Sequence, residues 1–134
     1  MAKNSARILV VEDEALVAYG LEILLAEQGY EVIGPAPDTA KALKLISRES
    51  IDAALLDVNL GSERIDCAAE ALAAASIPFI FTTAYSCPTA LPPAFRDRPV
   101  VNKPYRSDQL CAALAQVLAA SAEARDLTSG IVNA

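Results

Sequence analysis

Four hydrophobic runs in this chain end in polar residues that could act together on a phosphoryl group. RILVV (7–11) runs into Glu12 and Asp13, AALL (53–56) into Asp57, and FIF (79–81) into Thr82 and Thr83. Val100 and Val101, followed by Asn102, run into Lys103 and Pro104. If these runs are parallel strands of one sheet, three carboxylates, a hydroxyl and an ammonium converge on one edge. Such oxygens suit Mg²⁺, which takes one or two carboxylates and a carbonyl and keeps several waters. Asp13 and Asp57 are the expected direct ligands. Glu12, one methylene longer, would act through water, and the backbone carbonyl of Asn59 would point into the same space.

Without a cation the three carboxylates repel one another, and at least one pKa should rise. With a cation bound, Asp57 could attack phosphorus. Phosphoryl transfer is mainly positioning and charge stabilisation. One phosphoryl oxygen would meet the metal, a second Lys103, and a third Thr83 with a nearby amide. A phosphorylated Asp57 would carry about −1.5 to −2 charges, and that charge would draw Thr83 and Lys103 inward. Each piece alone has a plainer reading. An acid pair can cap a helix, and Lys-Pro can be a simple turn. The signal lies in their order along the chain.

The intervening segments read as the elements that would position these groups. RILVV is too short and too β-branched for a helix. From Glu14 to Gln28, Leu16, Gly20, Ile23, Leu24 and Glu27 recur at helical spacing, and Gly29 stands where a helix would stop. Residues 31–35 read as a second strand. Asp38 or Thr39 then caps a helix with Ala42, Leu43 and Ile46 on one face. Residues 52–57 give a third strand, 64–75 an alanine-rich helix, 77–82 a fourth strand, and Val100–Val101 a short fifth. Ser107 fits the cap of a last helix carrying Leu110, Leu114, Val117 and Leu118. Strands alternating with helices predict an α/β fold of three layers: a five-stranded parallel sheet in the flavodoxin-like order 2-1-3-4-5. Ligands in such sheets sit beyond the strands' carboxyl ends, where strands 1 and 3 diverge. The crossover at 86–99 is proline-laden, with Pro88, Pro92, Pro93 and Pro99, and predicts at most one or two helical turns.

The 134 residues suit one domain, expected over 1–122 with a flexible tail at 123–134. No apolar stretch approaches the ~18 residues of a membrane span, and the N-terminus does not read as a signal peptide. A cytoplasmic protein is expected. The net charge of −6 argues against direct DNA binding. Lys41, Lys44 and Arg48 are expected on a solvated helix face. Cys67, Cys87 and Cys111 form no C-x-x-C and read as small core residues in a reducing compartment. The chain has no histidine, which excludes histidine-dependent triads and zinc motifs. No G-x-G-x-x-G or P-loop motif is present either.

VVEDE at 10–14, LLDVNL at 55–60, TTAY at 82–85 and NKPY at 102–105 resemble the receiver domain of bacterial two-component response regulators. The resemblance covers about residues 6–121. It implies Asp57 as phosphoacceptor, Glu12 and Asp13 as the acidic pair, Thr83 as the switch hydroxyl and Lys103 as the family's lysine. It implies a Mg²⁺-dependent signalling switch rather than an enzyme, with phosphotransfer and slow self-dephosphorylation as its chemistry. The donor would be a histidine kinase or a histidine phosphotransfer protein, in keeping with the missing histidine. PFIFTTAY at 78–85 is similar to a stand-alone variant with the pattern Phe-x-Phe-Ala-Thr-Gly-Tyr, from which Thr82 and Ala84 depart. A stand-alone receiver, rather than one cut from a longer protein, is expected, as a monomer or weak dimer.

Two departures bear on the output. Val100 occupies the position, three before the lysine, where many receivers carry an aromatic switch residue. Tyr85 or Tyr105 could take over that part. The prolines of 86–99 disfavour pairing through the face that includes the fourth crossover, so the first or last helix is the better partner surface. A second reading is a receiver-fold binding module that works without phosphate. A third, an aspartyl phosphohydrolase, lacks its general acid, because Asn59 stands two residues past Asp57.

Overall fold

The computed structural model describes residues 6–58, 65–83, 92–95, 97–103 and 106–133, with backbone alone over 123–133. Five strands run β1 Arg7–Val11, β2 Glu31–Ala36, β3 Ala53–Asp57, β4 Phe79–Thr83 and β5 Val100–Asn102. Among the described residues four helices join or follow them: α1 Ala15–Glu27, α2 Thr39–Arg48, α3 Asp66–Ala74 and α4 Ser107–Asn133. All pairings are parallel, in the order β2-β1-β3-β4-β5. This is the expected fold class and strand order.

Alternation along the buried strands divides the core into two layers. Leu9, Val11, Ile33, Leu56, Phe79 and Phe81 pack against α2 and α3 residues such as Ala42, Ala68 and Leu72. Ile8, Val10, Leu55, Ile80 and Val101 pack against Leu21 and Leu25 of α1 and Leu110 and Leu114 of α4. Both faces of the sheet are thus covered, which is why its strands read as continuous apolar runs rather than alternating ones.

The helix ends follow local chemistry. The Asp38 carboxylate accepts the amide of Lys41 at 2.8 Å and caps α2. Gly29, at φ +91°, ends α1. Its amide bonds the Ala26 carbonyl, and that of Tyr30 bonds Leu25, the paired closure that a left-handed residue permits. Ser76 does the same after α3 at φ +59°, with its amide on Ala73 and that of Ile77 on Leu72.

Several sequence expectations change. The face of α1 that packs is Ala18, Leu21 and Leu25, while Leu16, Gly20 and Ile23 lie exposed. The helix is apolar on nearly every side, so spacing alone could not choose the inward face. In α2, Leu43 faces outward and Leu45 packs inward with Ala42 and Ile46. Lys41, Lys44 and Arg48 are exposed, as expected. Cys67 is exposed rather than in the core, and Cys111 is half-buried. Ser107 is the first residue of α4 and not its cap, since the Arg106 carbonyl takes the first helical bond, from Leu110. α4 continues to Asn133, past the helix end expected before residue 123. Its alanines, Glu123, Arg125 and Leu127 favour helix, and no proline interrupts them. In the proline-laden crossover, the described residues hold one short 3-10 turn, Pro93–Phe95. Residues 84–91 and 96 lie outside the described residues.

Candidate functional site

β1 and β3 are neighbours and β2 lies on the far side of β1, so the chain diverges above their carboxyl ends. Glu12 follows β1 directly, and its amide bonds the Ala36 carbonyl at 3.0 Å. That bond depends on an irregularity in β2, where register shifts between Leu9↔Ile33 and Val11↔Ala36. Gly34 makes the shift possible at φ +100°. A Cβ there would stand 2.8 Å from the Ala36 nitrogen and 3.2 Å from the Val10 oxygen. Hydrogen bonding continues past the other strand ends as well. Val58 N–H reaches the Thr82 carbonyl at 2.9 Å, and Lys103 N–H the Thr83 carbonyl at 2.8 Å. The site residues are therefore held by backbone that continues the sheet.

Glu12 and Asp57 are buried, at 2% and 1% exposure. Between them stands the Lys103 ammonium, 3.0 Å from Glu12 Oε1 and 3.2 Å from Asp57 Oδ2. Burying a carboxylate is costly unless it is paired, and here one cation serves two. Asp13 is exposed at the mouth. Glu12, Asp13 and Asp57 each offer an oxygen, and these atoms all lie within 4.8 Å of one another. An all-oxygen donor set at that spacing fits a hard divalent cation.

The balance of charges perturbs Glu12. Its pKa lies above the ordinary 4.5, chiefly because burial penalises the charged form. Contact with Asp57 adds to the rise, while Lys103 and the Glu14 amide oppose it. That amide reaches Glu12 Oε2 at 3.2 Å.

Thr83 is buried at the end of β4. The register partner of Asp57, however, is Thr82, whose hydroxyl leans toward the Leu56 carbonyl at 3.5 Å. The structure thus brings Glu12, Asp13, Asp57 and Lys103 together and sets Thr83 on the adjacent strand end. One participant was missed. Glu14 Oε1 lies 4.0 Å from the Lys103 ammonium, and the third acid of VVEDE was the available signal. Val100 is exposed at 39%. Asn59, Tyr85, Pro104 and Tyr105 lie outside the described residues.

The family model for the response regulator receiver domain matches residues 8–115. The chain belongs to that family. As a receiver domain it is a component of two-component signalling. It is 33% identical over 122 residues to the phyllosphere-induced regulator PhyR of Methylorubrum extorquens, covering 87% of this chain and 45% of that protein. It is 36% identical over 81 residues to the transcriptional regulatory protein PdtaR of Mycobacterium tuberculosis, covering 60% of this chain and 40% of that one. The chain therefore spans less than half the length of these relatives. Among solved structures, SdrG from Sphingomonas melonis Fr1 is 44% identical, with a TM-score of 0.75, over 85% of this receiver and 97% of SdrG. PhyR from Brucella abortus is 32% identical, with a TM-score of 0.78, over 95% and 53% of the two chains. No helix among the described residues of the receiver is long and apolar enough to cross a membrane.

Proposed function

We propose that this receiver accepts a phosphoryl group on Asp57 and that the added charge is the signal a partner reads. The supporting observation is the Lys103 ammonium, shared between Glu12 and Asp57 inside a buried acidic cluster. As the family implies, the donor is a phosphohistidine of a histidine kinase or phosphotransfer protein, and the histidine belongs to that protein because this chain has none. An Asp57 carboxylate oxygen forms the new P–O bond as the donor's P–N bond breaks. The electron pair leaves with the imidazole, which takes up a proton. Lys103 meets the incoming phosphoryl oxygens with its ammonium, and Thr83 supplies a hydroxyl donor from the next strand. Glu12, Asp13, Asp57 and the carbonyl of Asn59 would hold Mg²⁺. When bound, the ion neutralises the charge gathered at the phosphoryl group. Hydrolysis of the acyl phosphate by water would reset the switch slowly.

The partner contact belongs on α1. Leu16, at 85% exposure, Tyr19 and Ile23 form an exposed apolar stripe. Gly20 lies among them, and a Cβ there would meet nothing within 4 Å. A glycine inside a helix costs roughly 1 kcal/mol against alanine, and nothing among the described residues requires this one. It suits the close approach of another helix. Glu14, Glu22 and Glu27 surround the stripe, and α1 carries no basic residue, so a partner helix with apolar and basic positions fits.

Acetyl phosphate with Mg²⁺, followed by intact mass, tests the reading. A single phosphate adduct is expected, and it should be absent from Asp57→Asn. No adduct, or one that persists in the variant, overturns it. The exposed aliphatic Val100, in place of an aromatic, favours the second reading of a phosphate-independent binding module. Equal partner binding by Asp57→Ala, the unphosphorylated wild type and the phosphorylated wild type would establish that alternative.

A further inference from the structure

At the opposite end of the sheet from the acidic cluster lies an open cleft of about 330 Å³. It is bounded by the end of α3, the residues entering β4 and the middle of α4. Ile77, Pro78, Val117 and Ala120 supply apolar surface, and Ser76 and Ser121 add hydroxyls. Among the described residues, Arg98 is the one charged residue in its lining. The Arg98 guanidinium carbon stands 4.4 Å from the ring centre of Phe79 and 5.4 Å from that of Phe95. Phe79 is buried at 1% exposure and meets Phe81 and Phe95 edge-on. The Arg98 amide is tied to the Phe95 carbonyl at 3.1 Å.

These ring contacts engage no acceptor oxygen, so the guanidinium N–H donors are left for another group. Among the described residues no carboxylate pairs with Arg98 and no acceptor meets its side-chain donors. A half-buried cation already oriented by two rings loses little freedom on pairing, and its fork matches a carboxylate in two parallel bonds. The volume falls at the small end of ligand sites, which run from roughly 300 Å³ upward. A single cation within a chain of net charge −6 favours a monoanion over a phosphate dianion.

We infer that this cleft binds a small organic carboxylate with an apolar body. The carboxylate pairs with Arg98, and the body lies against Ile77, Pro78 and Val117. This site is separate from the acidic cluster and does not depend on Asp57 chemistry.

Titration of the full ¹⁵N-labelled chain with phenylacetate, followed by amide shifts, tests the inference. The expected result is saturable shifts at Ser76, Ile77, Ala120 and Ser121, with a Kd of about 1 mM or tighter. Neutral phenylacetamide, and phenylacetate with Arg98→Gln, should each bind at least about tenfold more weakly. Should Arg98→Gln fail to fold, Ala120→Leu fills the cleft from an exposed helix position with the guanidinium intact, and it should also abolish saturation. Absence of saturable shifts, shifts centred elsewhere, or equal affinity for the neutral analogue overturns the inference. So does unchanged binding by whichever variant folds.

Discussion

Replacing Lys103 with methionine removes the ammonium between Glu12 and Asp57 while keeping most of its length. Contacts of 3.0 and 3.2 Å are each worth about 5 kcal/mol of gross Coulomb attraction at an effective dielectric near 20. Desolvation of the lysine offsets much of this, and the net cost of breaking a buried pair is about 3–5 kcal/mol. For a domain of this size that corresponds to a fall in Tm of roughly 10–20 °C. Acidity should change the deficit in a defined direction. Glu12 already has a raised pKa, and Lys103 is one of the contacts holding it down. Losing Lys103 moves it higher still. An acid whose folded pKa is raised contributes stability below its unfolded value and loses it as pH rises through the folded value. The deficit of Lys103→Met should therefore be largest near neutral pH and shrink as pH falls through the raised Glu12 pKa. Thermal unfolding in EDTA at a series of pH values reads both effects, and added Mg²⁺ should restore part of the loss. A variant that melts with wild type at neutral pH, or whose deficit grows on acidification, would refute the argument.

Ser76→Gly should raise stability by about 1 kcal/mol in urea titration, because the left-handed turn after α3 strains a side chain and suits glycine. Gly34→Ala should destabilise by at least about 2 kcal/mol, since its φ is positive and its Cβ would collide with backbone. It should also weaken Mg²⁺ binding, as the Glu12 amide depends on that bulge. With Cys87 replaced by serine, iodoacetamide should label Cys67 before Cys111. Cys67 is exposed, while burial, helped by Asp108, pushes the Cys111 thiol up.

The site was legible because a parallel sheet turns sequence order into spatial convergence. Each site residue lies at the end of an apolar run, and the runs end on one edge. Gly29 and Asp38 were legible for a related reason, since their chemistry at helix ends is local. The facing of α1 was not, because Leu16, Leu21, Ile23 and Leu25 offer several apolar stripes and only the sheet selects among them. Leu43 and Leu45 present the same ambiguity in α2. Ser76 carries no signal for a left-handed turn, since glycine ordinarily marks that place. The Arg98 stack was hidden because Phe79, Phe95 and Arg98 are brought together by the crossover rather than by any periodic pattern.

β5 is three residues long, lies at the edge of the sheet and pairs with β4 alone. Lys103 is anchored to that strand, whereas Glu12 and Asp57 hang from β1 and β3 in the interior of the sheet. Edge segments with few bonds open locally at lower free energy than the centre of a domain. The two buried acids can thus lose the Lys103 charge through a brief separation of one short strand while the core stays folded. Amide hydrogen exchange at Lys103 should register the opening of β5 well before exchange at Val10.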